Sequence, residues 1–123
     1  MKKILIIEDE SALQRTLGDT LRKEGYEISA ALDGESGLRL AQTQKPDLIL
    51  LDLILPRLNG FEVLKQLKSA EDTKEIPVIV LTNLEAMEDI ERALDSGATT
   101  YLVKAQYSLE EVVEKIKKTL ENR

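Results

Sequence analysis

The aliphatic run Leu48-Ile-Leu-Leu51 leads straight into Asp52, and a charge set against such a run is costly unless something uses it. Ile4-Leu-Ile-Ile7 ends in Glu8-Asp9-Glu10, Val78-Ile-Val-Leu81 ends in Thr82, and Tyr101-Leu-Val103 ends in Lys104. Carboxylates gathered together repel and raise one another's pKa unless cations sit among them. Lys104 supplies one positive charge. A hard ion such as Mg²⁺ can supply two more, held by one or two carboxylates, waters and phosphate oxygens. A carboxylate among such cations can attack a phosphoryl group and form an aspartyl phosphate. Metal, lysine and hydroxyl would then neutralise or hydrogen-bond the transferring oxygens.

The composition leaves few rivals to that chemistry. The 123 residues include no histidine and no cysteine, which excludes thiol catalysis, disulfides, Cys/His zinc sites and Ser-His mechanisms. Seventeen basic residues against 23 acidic ones give a net charge of −6, unsuited to gripping nucleic acid directly. Apolar runs stop at four residues, so no membrane span is expected. Met1-Lys2-Lys3, a short apolar run and then three acids do not spell a signal peptide, and the cytoplasm is the expected compartment. The length predicts one domain over 1–123.

The elements that must position these residues follow from two alternating periods. Continuous aliphatic runs predict buried strands at Ile4–Ile7, Leu48–Leu53, Val78–Leu81 and Tyr101–Val103, with Glu27–Leu32 a fifth. Helical stripes lie between them: Leu13, Leu17, Leu21; Leu38, Leu40, Ala41 within Glu35–Gln44; Phe61, Leu64, Leu67; Met87, Ile90, Leu94; and Leu109, Val112, Val113, Ile116, Leu120. Ser108-Leu-Glu-Glu111 spells a capping box, and Ser11-Ala-Leu-Gln14 resembles one. Gly25 and Gly97 fall where helices should stop, and Pro46 and Pro77 stand just before strands. The result is an α/β fold: a single (βα)5 doubly wound domain, with a five-stranded parallel sheet and helices on both faces. Ligands of such sheets bind beyond the carboxyl ends of the strands, so Glu8-Asp9, Asp52, Thr82 and Lys104 should meet on one rim.

That constellation resembles the receiver domain of two-component response regulators, of the chemotaxis-regulator type, over essentially the whole chain. The residues carrying the resemblance are Glu8-Asp9, Asp52 within Asp52-Leu-Ile-Leu-Pro56-Arg-Leu-Asn-Gly60, Thr82, Tyr101 and Lys104. It implies the flavodoxin-like strand order 2-1-3-4-5. It implies that Asp52 accepts a phosphoryl group from a phosphohistidine on a histidine kinase or phosphotransfer protein. Asp9, Asp52 and the backbone carbonyl of Ile54 would hold Mg²⁺, with Glu8 assisting through water. Thr82 and Lys104 would grip the phosphoryl oxygens, and Tyr101 would turn inward behind Thr82. The output partner, a separate protein or a fused effector domain, would read the face made by the fourth helix, fifth strand and fifth helix. The chain would catalyse its own phosphorylation and dephosphorylation without being a metabolic enzyme.

Two positions depart from the family's habit. Ala105 follows Lys104 where proline in a cis peptide is usual; a cis bond without proline costs about 3 kcal/mol, so a trans peptide is expected. Asn83 follows Thr82 where a small residue is common. Competing readings exist for several residues. Glu8-Asp9-Glu10 can be an acidic helix start, Thr82 or Asn83 can cap the fourth helix, and Tyr101 can be an ordinary core aromatic. A nucleotide-binding enzyme would carry a glycine-rich loop after the first strand, and none occurs. A flavin module would not set three carboxylates where a phosphate must sit. An aspartate-dependent phosphatase would carry a second Asp at position 54, which is Ile. The remaining alternative is a degenerate receiver acting as an unphosphorylated protein-interaction module.

Overall fold

The computed structural model describes residues 1–122. Its elements alternate from end to end: β1 Lys3–Ile7, α1 Ser11–Lys23, β2 Glu27–Ala31, α2 Gly34–Gln44, β3 Leu48–Leu51, α3 Gly60–Ser69, β4 Val78–Thr82, α4 Met87–Asp95, β5 Thr100–Val103 and α5 Leu109–Glu121. A 3₁₀ turn over Lys104–Gln106 joins the last two. The strands form one parallel sheet in the order β2-β1-β3-β4-β5, as expected.

Strand alternation divides the apolar residues between two layers. Leu5, Ile7, Ile49, Leu51, Val78 and Val80 pack under α2, α3 and α4 through Ala41, Val63, Leu64, Leu67 and Ala93. Ile4, Ile6, Leu48, Leu50, Ile79, Leu81 and Leu102 pack under α1 and α5 through Leu17, Leu21, Val112, Val113, Ile116 and Leu120. Both faces of the three central strands are covered, which is why their sequences run without polar interruption.

The sequence expectations need four local corrections. β3 ends at Leu51 rather than Leu53: Leu53 stays buried, but its carbonyl accepts the Gly60 N–H as the chain turns toward α3. β2 ends at Ala31, leaving Leu32 exposed. Ser11 does not cap α1; Glu10 holds the N-cap position without a side-chain cap. The Gln14 amide instead donates to the Glu8 and Ala31 carbonyls, at 3.1 and 2.8 Å. The Met87–Ile90–Leu94 stripe is not the buried face of α4, since Met87 and Leu94 are exposed and Ala93 is the buried residue. The Ser108–Glu111 capping box forms in full. Gly25 and Gly97 adopt φ of 98° and 108° at their helix ends.

Candidate functional site

Register delivers the rim. Ile7 lies beside Leu51, and Leu51 beside Val80, so Glu8 and Asp52 leave the sheet at one level. The Asp52 N–H still donates to the Ile7 carbonyl at 3.0 Å, which fixes the two acidic ends against each other. Thr82 closes β4 opposite Val103, and Lys104 follows β5 at once. α3 is seated hard against this turn. A Cβ at Gly60 would collide with the Asp52 carbonyl oxygen and Leu53 Cα, so glycine is what lets the helix start there.

Carboxylate oxygens of Glu8, Asp9 and Asp52 lie within 4.8 Å of one another. Glu8 and Asp52 are buried, and Asp9 is exposed. Lys104 Nζ reaches into the cluster, 2.9 Å from Glu8 Oε1, 2.9 Å from Asp52 Oδ2 and 2.7 Å from Glu10 Oε1. Backbone N–H groups hold the buried acids in place: Glu10 N–H donates to Glu8 Oε2 at 2.9 Å, and Ile54 N–H to Asp52 Oδ1 at 3.1 Å. Burial pushes the Glu8 pKa up to about 7, against the lowering effect of the Glu10 N–H and of Lys104. Burial also works against the Lys104 charge, but hydrogen bonds to Glu10, Asp52 and Glu8 outweigh it and hold the ammonium well above the usual lysine range. Lys104 is therefore a fixed cation among four carboxylates.

Thr82 is fully buried, and its Oγ1 meets no hydrogen-bond partner among the described residues. An unpaired buried hydroxyl costs about 1–3 kcal/mol. The N-cap of α4 is Ala86, so neither Thr82 nor Asn83 caps that helix. Tyr101 is half-buried on the α4 side of the sheet, and its hydroxyl donates to the Leu84 carbonyl at 2.9 Å. The Lys104–Ala105 peptide is trans, as expected for a bond without proline. Two residues gain a place here that sequence reasoning did not give them. Glu10 was visible only as the third member of an acidic triplet, and Gln14 only as part of a capping pattern. Their partners lie 94 and 17 residues away.

The rim contains what phosphoryl chemistry on a carboxylate needs: a buried acid, a fixed cation beside it, oxygen donors for a metal and an unspent hydroxyl. Comparison with known proteins points the same way. Residues 4–117 match the family model described as the response regulator receiver domain. The chain is 40% identical over 120 residues to the DNA-binding dual master transcriptional regulator RpaA of Synechocystis sp., covering 98% of this chain and 49% of that protein. It is 40% identical over 119 residues to the alkaline phosphatase synthesis transcriptional regulatory protein PhoP of Bacillus subtilis, covering 97% and 48%. The chain thus spans about half the length of these relatives. Among solved structures, a CheY-like response regulator receiver domain protein from Methanospirillum hungatei superposes with a TM-score of 0.92 at 29% identity, covering 99% of this chain and 95% of that one. The receiver domain of a Pseudomonas aeruginosa sensor histidine kinase, which has a magnesium ion coordinated in its active site cleft, gives 0.87 at 29% identity, covering 98% of both chains. This chain belongs to the response regulator receiver domain family.

Proposed function

We propose that this chain is a phosphorylation-controlled switch whose phosphoacceptor is Asp52. The observation carrying this reading is the Asp52–Lys104 ion pair at 2.9 Å inside a cluster of further carboxylates. A pair that only held the fold together would gain nothing from the repulsion of Glu8 and Asp9. The donor is a phosphohistidine on a partner histidine kinase or phosphotransfer protein. A carboxylate oxygen of Asp52 attacks phosphorus, the P–N bond breaks, and its electron pair returns to the imidazole nitrogen. The product is an acyl phosphate, later hydrolysed by water to regenerate Asp52 and release inorganic phosphate. Lys104 stays beside the acceptor through the transfer and offers its N–H groups to the phosphoryl oxygens. The Thr82 hydroxyl, unpaired in the resting protein, is available to another.

The donor set suits Mg²⁺: it is all oxygen and anionic. Asp9 and Asp52 would hold the ion, with the Ile54 carbonyl beside them and Glu8 acting through water. When bound, Mg²⁺ neutralises charge that would otherwise repel the incoming phosphoryl group. Among the described residues no helix is long and apolar enough to cross a membrane. The output partner, a separate protein or an effector domain joined to this one, reads the face of α4, β5 and α5. The test is incubation with Mg²⁺ and acetyl phosphate, followed by intact-mass measurement. A labile gain of one phosphate is expected, lost with EDTA and absent from a folded Asp52→Asn variant. A wild-type chain that takes no label would instead be a static protein-interaction module.

A further inference from the structure

The Lys104 ammonium has three N–H bonds, and three carboxylates receive them: Glu8, Asp52 and Glu10. A phosphoryl oxygen can engage Lys104 only if one of the three lets go. While the donor's phosphoryl group arrives, before its bond to Asp52 has formed, Glu8 and Asp52 cannot do so cheaply. Their side chains are 3% and 4% exposed, so losing the ammonium would leave a buried acid without a partner that water cannot replace. Each is also pinned by a backbone N–H. Glu10 differs on both counts. Its side chain is 56% exposed, and among the described residues its carboxylate accepts from Lys104 alone. Released, it returns to water at little cost.

We propose that Glu10 is a positioning residue: it occupies the outward donor of Lys104 in the resting protein and yields it to the phosphoryl group. The inference rests on the reading of Asp52 as phosphoacceptor. The arriving phosphoryl group brings up to two negative charges to the cleft and favours the release. The clamp stabilises the resting state against the phosphorylated one, so it slows loading. It also keeps the long Lys104 side chain aimed at Asp52 before any donor arrives.

Two variants separate contact from charge. Glu10→Ala removes both. Glu10→Asp keeps the charge but is one methylene shorter, and at this N-cap position an aspartate is drawn to the helix N–H groups instead. Labelling by acetyl phosphate in saturating Mg²⁺ should rise roughly 3-fold in both variants, the release of one exposed ion pair. The gain should appear in the limiting rate rather than in the half-saturating donor concentration. In the metal-free protein the slowly exchanging ¹⁵N signal of the Lys104 ammonium should weaken in both. If Glu10→Asp labels like wild type while Glu10→Ala is faster, repulsion alone is at work and the clamp is overturned. Unchanged or slower labelling in both variants overturns it as well. A wild-type chain that takes no label removes the phosphoacceptor reading and this inference with it, whatever the ammonium signal shows.

Discussion

Glu8 is a carboxylate shut away from water, and its raised pKa makes a stability prediction with a definite sign. An unfolded glutamate titrates near 4.5, and burial moves the folded one to about 7. The folded chain therefore holds an extra proton between those values. Stability from this group is complete below about 4.5 and is lost as pH rises through 7, by about 3 kcal/mol. In chelator-treated protein, thermal unfolding of Glu8→Gln should gain on wild type steadily from pH 5 to pH 8. Parallel curves for the two proteins would mean that Lys104 keeps Glu8 ionised throughout. Burial is costly for the charged form of such a group, and a cation held beside it lowers that cost.

At the scale of elements, two glycines inside helices should respond oppositely to the same change. A Cβ at Gly18 in α1 would sit in ordinary contact, 3.5 Å from Arg22 and 3.7 Å from Ile28. Gly18→Ala should stabilise by about 0.5–1 kcal/mol through helix propensity. A Cβ at Gly37 in α2 would lie 2.7 Å from the fully buried Ile7 side chain. Overpacking of about 1–3 kcal/mol then exceeds the propensity gain, and Gly37→Ala should lower the unfolding midpoint. Neither sign can be read from the residue itself, and the same division runs through the sequence expectations. The strands were readable because β1, β3 and β4 are buried on both faces and show unbroken aliphatic runs. The capping box of α5 was readable because both of its partners are local. The α4 stripe misled because small Ala93 makes the close contact with the sheet while Met87 and Leu94 face outward. Gln14 and Glu10 misled because their partners come from other elements. Convergence of acids, hydroxyl and lysine was legible because strand ends in a parallel sheet share one edge; which acid holds which donor was not.

Over the whole molecule, the proposed phosphorylation raises the question of how a charge placed at Asp52 would reach the far edge of the sheet. Thr82 ends β4 with a buried, unpartnered hydroxyl, and β4 passes directly into the segment 83–86 that leads to α4. Tyr101 stands on the neighbouring strand opposite Val80, and its hydroxyl ties the ring to the Leu84 carbonyl in that same segment. Beyond it, Met87 and Leu94 leave α4 with an apolar outer face, 68% and 45% exposed. If a phosphoryl oxygen draws the Thr82 hydroxyl toward it, space opens beside the Tyr101 ring. The bond to Leu84 then transmits the movement to α4. A differential of a few kcal/mol between the two arrangements is enough to shift their populations substantially. Amide chemical shifts should be compared with and without beryllofluoride and Mg²⁺. Changes are expected to spread from residues 52–60 and 82–90 into 100–107 and the start of α5. Thr82→Ala should diminish the distant changes while sparing those around Asp52. Wild-type changes confined to the rim would break the link between site and output face, leaving a domain that binds phosphate and reports it to nothing.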